Sequence, residues 1–371
     1  MRFLMLNWRD PKNPLAGGAE RVTQAYLAAL VQRGHEVYWF TYDFPGGAAE
    51  EIIDGIRIIR GGGKFTSIRK AIRWYRQQPR FDLVIDQHHG IPWYAPWWCR
   101  TNCVAYIHEV LGPIWDSFYS WPLNVLGRWQ ERWTHRFYAR QPFWTPSDST
   151  RKDLERHGVR SVTVLPNGCD TVPLPELPAK PLEAPLRLIT VSRLAPNKRV
   201  DHAVRAVKLL EQRGVPSVLT IVGSGEVQAS LKQLVQELNL ASRVAFTGSL
   251  AELEKNVQLK QAHLLLHTSV REGWGLNVIE ANALGTPAVV YPVAGLVDST
   301  IHGETGRVVK TETPEALADE LQALVQAPAS YETYRFKAWQ RAKQFQWSVT
   351  AAQTCTWLEQ QAAAPHTAAR K

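Results

Sequence analysis

The sequence predicts an α/β protein of two doubly wound parallel-sheet domains facing each other across a cleft. Short apolar runs alternate with helical patterns in two successive series, and a proline-rich stretch separates the series. A chain of 371 residues with 45% hydrophobic and 21% charged content has the size and composition for two such cores.

In the first series, the apolar run 2–6 predicts a buried strand, 19–33 a helix and 35–41 a second strand, and further strands are expected at 82–86 and 103–107. Between them, 67–76 reads as a helix that puts Ile68, Ile72 and Tyr75 on one face beside Arg69, Arg73 and Arg76. That pattern suits either a helix lying on a membrane surface or a solvated helix packed by its apolar side. Residues 166–185 hold Pro166, Pro173, Pro175, Pro178, Pro181 and Pro185, a density that excludes a helix and predicts an extended linker. The second series places strands at 186–192, 218–222, 244–247, 262–268 and 288–291, with helices at 200–212, 226–238 and 277–284. From 314 to about 361 the pattern is helical, and the last ten residues read as frayed. The expected division is therefore 1–165, a linker at 166–185, a second domain at 186–335, and terminal helices at 336–371 packing back across the domains.

No apolar run approaches the ~20 residues that a membrane span needs. The start reads as a first strand, being shorter than a signal peptide and without a cleavage site. Cys99, Cys103, Cys169 and Cys355 form no Cys-x2-Cys pair, so reduced thiols in a cytoplasm are expected, without a metal site built on them. Positive charge is concentrated early: residues 1–165 carry 22 Lys and Arg against 15 Asp and Glu, a net +7 of the total +9. Eleven of the fifteen tryptophans precede residue 145, where their rings could pack in a core, meet lipid headgroups or stack on sugars. An anionic membrane surface is thus one expected partner of the first domain, making the protein peripheral at the cytoplasmic face. Nucleic acid is not expected, since no recognisable binding module accompanies the charge.

Several segments carry chemistry. Glu272 and Glu280 lie eight residues apart around the turn Gly273-Trp-Gly275. One precedes a helix and the other lies just over a turn inside it, at about 3.6 residues per turn. The helix start offers free N–H groups to a phosphate. A carboxylate inside the first turns, Glu280, suits paired ribose hydroxyls, and Glu272 suits a hexose hydroxyl; ordinary capping acids are the other reading. Gly17 and Gly18 open a helix after the first strand, where backbone can approach an anion. Arg193 ends a strand and Lys198 follows on the next loop, two cations able to neutralise a diphosphate. Gly223 and Gly248 end two strands, as tight turns or as simple structural glycines. His108 ends another strand of the first half and would face the cleft. Asp86, His88 and His89 end its neighbour, lining an acceptor or merely solvated.

The segment Glu272-Gly-Trp-Gly-Leu-Asn-Val-Ile-Glu280 resembles the Glu-x7-Glu motif of retaining GT-B glycosyltransferases, in particular glycosyltransferase family 4. Gly17-Gly-Ala-Glu-Arg21 and Ser192-Arg-Leu-Ala-Pro-Asn-Lys198 are similar to two further family patterns, and the likeness covers roughly residues 1–310. It implies that Gly17 and Gly18 lie over the donor diphosphate and transferred sugar, that Arg193 and Lys198 bind the diphosphate, and that Gly223 and Gly248 frame the nucleotide. It implies donor contacts from Glu272, Gly273, Trp274, Gly275, Leu276 and Glu280, and contact of His108 with the transferred sugar. His108, Glu272, Arg193 and Lys198 would then be catalytic. Trp274 departs from the commoner Phe or Tyr. The implied reaction is hexose transfer from a nucleoside diphosphate sugar to a glycan or lipid-linked acceptor with retained configuration, in cell-surface polysaccharide or glycolipid synthesis, with neither cofactor nor metal. A nucleotide-sugar epimerase or hydrolase of the same architecture, and a non-catalytic sugar-nucleotide-binding module, are the competing classes.

Overall fold

The computed structural model describes residues 1–88 and 90–365. They form two compact units: Met1–Val110 with Leu126–Gly168 and the chain from Trp347, and Leu111–Val125 with Cys169–Gln346.

The first unit is an eight-stranded sheet. Its strands are β1 (Arg2–Leu6), β2 (Glu36–Thr41), β3 (Glu50–Ile53), β4 (Ile56–Arg60), β5 (Leu83–His88), β6 (Asn102–Ile107), β7 (Pro142–Thr145) and β8 (Ser161–Val164), in the order β3-β4-β2-β1-β5-β6-β7-β8. All neighbours are parallel except β3 and β4. Phe3, Leu4, Met5 and Leu6 are all buried, as a central parallel strand covered on both faces requires. The antiparallel exception is a hairpin that the apolar-run reading missed. Its turn, Asp54-Gly55, has φ of 51° and 79°, the two left-handed residues of a tight hairpin. Helix Gly18–Gln32 buries Val22, Tyr26, Leu27 and Leu30, one stripe at helical spacing. Helix Trp347–Ala363 belongs to this unit and is tied to it where Arg33 and His35 hold Glu359 at 2.6 and 2.8 Å.

Helix Ser67–Arg76 forms where expected, but its apolar side is spent. Ala71 and Tyr75 are core residues and Ile68 and Trp74 pack against the same cluster, so the exposed side is Arg69, Lys70, Arg73 and Arg76. Of the face proposed for lipid, Ile68 and Tyr75 thus pack into the protein, while Ile72 stays half-buried beside Arg69, Arg73 and Arg76. Trp93 is likewise fully buried.

The second unit holds six parallel strands: β9 (Leu186–Val191), β10 (Ser217–Val222), β11 (Val244–Gly248), β12 (Leu264–His267), β13 (Ala288–Val290) and β14 (Gly306–Val308). Their order, β11-β10-β9-β12-β13-β14, reverses direction between β9 and β12, the doubly wound pattern whose ligands bind beyond the carboxyl ends of the strands at the reversal. Helix Val200–Gln212 covers one face with Val200, Ala203, Val204, Ala206, Val207 and Leu210.

Unit boundaries depart from the expected division in three places. Leu111–Val125 groups with the second unit, where helix Ile114–Phe118 lies against the turn Pro196–Lys198. The proline-rich stretch from Cys169 is strapped to that unit rather than hanging free. Lys180 Nζ donates to Ala262 O (2.6 Å) and Thr286 Oγ1 (2.7 Å), and Arg335 donates to Pro178 O at 2.7 Å. The expected terminal segment is split, since helix Pro328–Ala342 belongs to the second unit and the next helix to the first. Among the described residues no helix is long and apolar enough to cross a membrane.

Candidate functional site

In the second unit the expected residues gather on the loops that leave the carboxyl ends of β9, β10, β11 and β12. The loops after β9 and β12, the two strands at the reversal, are stitched together by hydrogen bonds to their backbone carbonyls. Val270 N donates to Asn197 O (2.8 Å), while Thr268 Oγ1 donates to Lys198 O (3.0 Å) and Arg199 O (2.9 Å). Arg199, in a left-handed conformation at φ 46°, returns its guanidinium to Thr268 O and Ser269 O, both at 2.9 Å.

This stitching fixes Lys198 Nζ 2.5 Å from Glu272 Oε1. Ser269 Oγ donates to the same oxygen at 2.7 Å, and His267 Nε2 lies 3.6 Å from it. Burial pushes the Glu272 carboxyl pKa up, but Lys198, His267 and the two hydrogen bonds outweigh it and hold the group below its ordinary value. His267 is buried and its pKa is driven down to about 4 by that burial, so its ring is neutral at pH 7. Oε2 of Glu272 has no protein partner among the described residues. Arg193 is exposed and makes no ion pair among them. The result is a carboxylate with one oxygen anchored, a lysine beside it, and an uncommitted guanidinium on the same loop as that lysine.

Glycines let these loops approach. Gly223, at φ 130°, lies so close to the loop after β9 that a Cβ would fall 1.9 Å from Ser192 O. Its N–H donates to Gly248 O at 2.8 Å, which brings the ends of β10 and β11 together. Gly275, at φ 81°, precedes helix Leu276–Ala283 and turns the chain from Glu272 into that helix. Gly295 was not anticipated: at φ 80° a Cβ there would meet Glu272 O at 2.1 Å, so this glycine lets the Glu272 loop pack closely against it.

Two donor-side expectations change. The Trp274 indole is buried and meets Phe345 edge-on at 5.2 Å, in a cluster with Cys169, Ile279, Ala283 and Ala342. It anchors the loop in the core instead of presenting its ring to a ligand, and Leu276 packs against the same cluster. Glu280, expected to receive ribose hydroxyls, is 5% exposed and already pairs with Lys255 Nζ at 2.9 Å.

In the first unit, Gly17 precedes helix Gly18–Gln32 and donates its N–H to Glu20 Oε2 at 2.7 Å, and Glu20 is paired with Arg9 at 3.1 Å. Neither Gly17 nor Gly18 has a positive φ, and a Cβ at Gly18 would meet nothing within 4 Å. Space at this turn is thus open. His108 follows β6, with Nδ1 3.4 Å from Tyr106 Oη. Asp86 and His88 do not line an acceptor site. Asp86 is fully buried and accepts from Trp93 N and Ala95 N, each at 2.9 Å, and from Tyr138 Oη at 2.7 Å. Its side chain fixes the chain after β5 through these bonds. His88 is buried edge-on against Tyr138 and Phe143, and burial lowers its pKa. His89 lies outside the described residues. The residues that sequence reasoning missed, His267, Ser269 and Gly295, sit in apolar or small-residue runs that carry no motif of their own.

Residues 16–172 match the family described as Glycosyltransferase Family 4, and residues 178–341 match Glycosyl transferases group 1. The chain is 25% identical over 390 residues to a glycogen synthase of Mycobacterium tuberculosis, an alignment covering 95% of this chain and 93% of that protein. A solved structure of sucrose-phosphate synthase from Thermosynechococcus elongatus superposes with a TM-score of 0.81 at 22% identity, covering 98% of this chain and 100% of that one. Anabaena HepE in complex with UDP-glucose gives 0.74 at 19% identity over 97% and 100% of the two chains. At these identities the two structures speak for a shared fold.

Proposed function

Given that this chain belongs to glycosyltransferase family 4 and has the GT-B fold, we propose that its glycosyltransferase activity moves a hexose from a nucleoside diphosphate sugar to a hydroxyl of a glycan or lipid-linked acceptor, with retained anomeric configuration. The observation that carries this reading is the Lys198–Glu272 pair at the β9/β12 reversal, with exposed Arg193 on the same loop as Lys198. Lys198 and Arg193 supply positive charge for a departing diphosphate, and the N-terminus of helix Leu276–Ala283 adds backbone donors. Glu272, anchored through Oε1, has Oε2 left to receive a hexose hydroxyl.

In the proposed step the bond from the anomeric carbon to the phosphate oxygen breaks and a bond from that carbon to the acceptor oxygen forms. The acceptor proton passes to the departing phosphate oxygen, so no side-chain base is required. Cationic side chains do the work of a metal here, and none is proposed. By resemblance, His108 contacts the transferred sugar, Gly17 and Gly18 admit the diphosphate, Gly223 and Gly248 frame the base, and Glu280 meets the ribose. UDP-glucose in the HepE structure makes a uridine donor the first to try. The four cysteines are free thiols, which suits the cytoplasm, and the proposal puts the enzyme at the inner face of a membrane, in cell-surface glycan or glycolipid synthesis.

The test is release of nucleoside diphosphate from a panel of UDP-, GDP-, ADP- and dTDP-sugars, with and without membrane extract. One donor should turn over, and Lys198→Ala should slow it by about 10²–10³-fold, the usual loss for an electrostatic contact to a developing anion. Free epimerised sugar without any acceptor would point instead to a hydrolysing epimerase. Silence from every donor with extract present would leave only a binding module.

A further inference from the structure

The helix Leu123–Phe137 is inside out. Its side toward the protein carries Gly127, Glu131, Thr134 and His135, all buried. Its outward side, within the first unit, carries Leu126 (54% exposed), Trp129 (60%), Trp133 (55%) and Phe137 (56%). These four positions recur at helical spacing and form one stripe. Trp129 and Trp133 touch at 5.7 Å, and Phe137 stacks at 3.9 Å on Trp97, itself 45% exposed, which widens the patch. Burying tryptophan while exposing nothing polar in its place would be ordinary; here large apolar rings face water while a glutamate and a histidine are turned inward. Such a contiguous patch marks an interaction surface.

Charge identifies the occupant. Every exposed residue between 126 and 140 is either apolar or arginine, with Arg132 and Arg136 alternating with the rings and Arg140 following. Glu131, the one acid of the helix, is buried. A second copy of this face would set arginine against arginine, whereas anionic lipid headgroups complement it. Indole rings flanked by cations are the composition that settles at a bilayer interface, with rings at headgroup depth and guanidinium groups on phosphate.

We infer that the outward face of helix Leu123–Phe137 docks this protein on an anionic lipid bilayer, through Leu126, Trp129, Trp133 and Phe137 in the interface and Arg132 and Arg136 on the headgroups. The inference deepens the membrane part of the proposed function and names the surface responsible. Its test reads binding without any donor, so a failure here leaves the transferase reading standing.

The experiment is cosedimentation of the full chain with vesicles of phosphatidylcholine alone or mixed with phosphatidylglycerol. Wild type should partition onto the anionic vesicles and be weakened by salt. The double variant Trp129→Ser with Trp133→Ser should lose at least about tenfold in partition, since two large apolar side chains leave the interface. Arg132→Glu with Arg136→Glu should lose the preference for phosphatidylglycerol. Both variants alter exposed positions, and their unchanged thermal melting and circular dichroism would verify the fold. Equal vesicle binding by wild type and the tryptophan variant would overturn the inference. So would a wild-type dimer in analytical ultracentrifugation that the tryptophan variant dissolves, because the face would then be a self-interface.

Discussion

Glu272 owes its charge to a balance of opposed effects. Burial alone raises its pKa, and Lys198, His267 and Ser269 outweigh that and lower it. With its folded pKa depressed, the group contributes stability that is present above the unfolded carboxylate pKa and lost as pH falls through the folded value. Lys198→Met removes the strongest opposing charge and leaves the desolvation. The carboxyl should then titrate above its ordinary range, and stability at pH 7 should fall by on the order of 2 kcal/mol, less than for a fully buried pair because both side chains retain some exposure. Carbon-13 NMR of labelled glutamate read against pH, together with urea unfolding, checks both halves. An unmoved carboxyl would mean that His267 and Ser269 suffice. Lys198 and Glu272 were legible in the sequence because charged groups at a strand end and before a helix are chemically conspicuous. His267 was not: it closes the apolar run that forms β12 and reads there as one more strand residue. Trp274 was legible as an aromatic in a loop, but the sequence carries no sign of Phe345, which draws its ring into the core.

At the scale of elements, the site is assembled by glycine turns whose closeness is measurable. A Cβ at Gly295 would collide with Glu272 O at 2.1 Å, whereas at Gly214, with φ 72°, it would meet no atom within 4 Å. Gly295→Ala should therefore displace the Glu272 loop and lower donor affinity as a direct lesion of Glu272 would. Gly214→Ala, after helix Val200–Gln212 and outside the site, should cost only the left-handed backbone penalty, about 1–2 kcal/mol. Calorimetric binding of UDP beside thermal melting separates them: Gly295→Ala should lose affinity out of proportion to its loss of stability, and Gly214→Ala should not. Glycines of this kind look alike in sequence, since the backbone that each would strike comes from another part of the chain. The same limit explains the elements. Central strands such as β1, β2 and β9 were readable from unbroken apolar runs. The β3–β4 hairpin, with its half-exposed strands, lacked such a run although Asp54-Gly55 is its turn signal. The apolar face of Ser67–Arg76 was correctly placed on a helix, but periodicity marks a face for burial without saying whether protein or lipid buries it.

For the whole molecule, acid stability follows from its buried histidines. Burial lowers the pKa of His88 and His135, and takes His263 and His267 each down to about 4. An unfolded histidine titrates near 6.5. Between about pH 6.5 and 4 the unfolded chain thus binds protons that the native one refuses, and stability must rise with pH across that window. Read downward, the loss begins near pH 6.5 and is complete for His267 at about 4. On going from pH 7 to pH 5, His267 should account for roughly 2 kcal/mol of it. Carboxylates act in a different window: Glu359, held down to about 2 mainly by its hydrogen bonds from Arg33 and His35 against the cost of burial, gives up its contribution only below the ordinary carboxylate range. Urea unfolding at pH 7 and pH 5 should therefore show a fall in the wild type that His267→Gln reduces by about that amount, because glutamine has no proton to take up. If the two proteins lost stability equally over this interval, the neutral His267 beside Glu272 would be wrong, and the charge at the centre of the site would have to be reassigned.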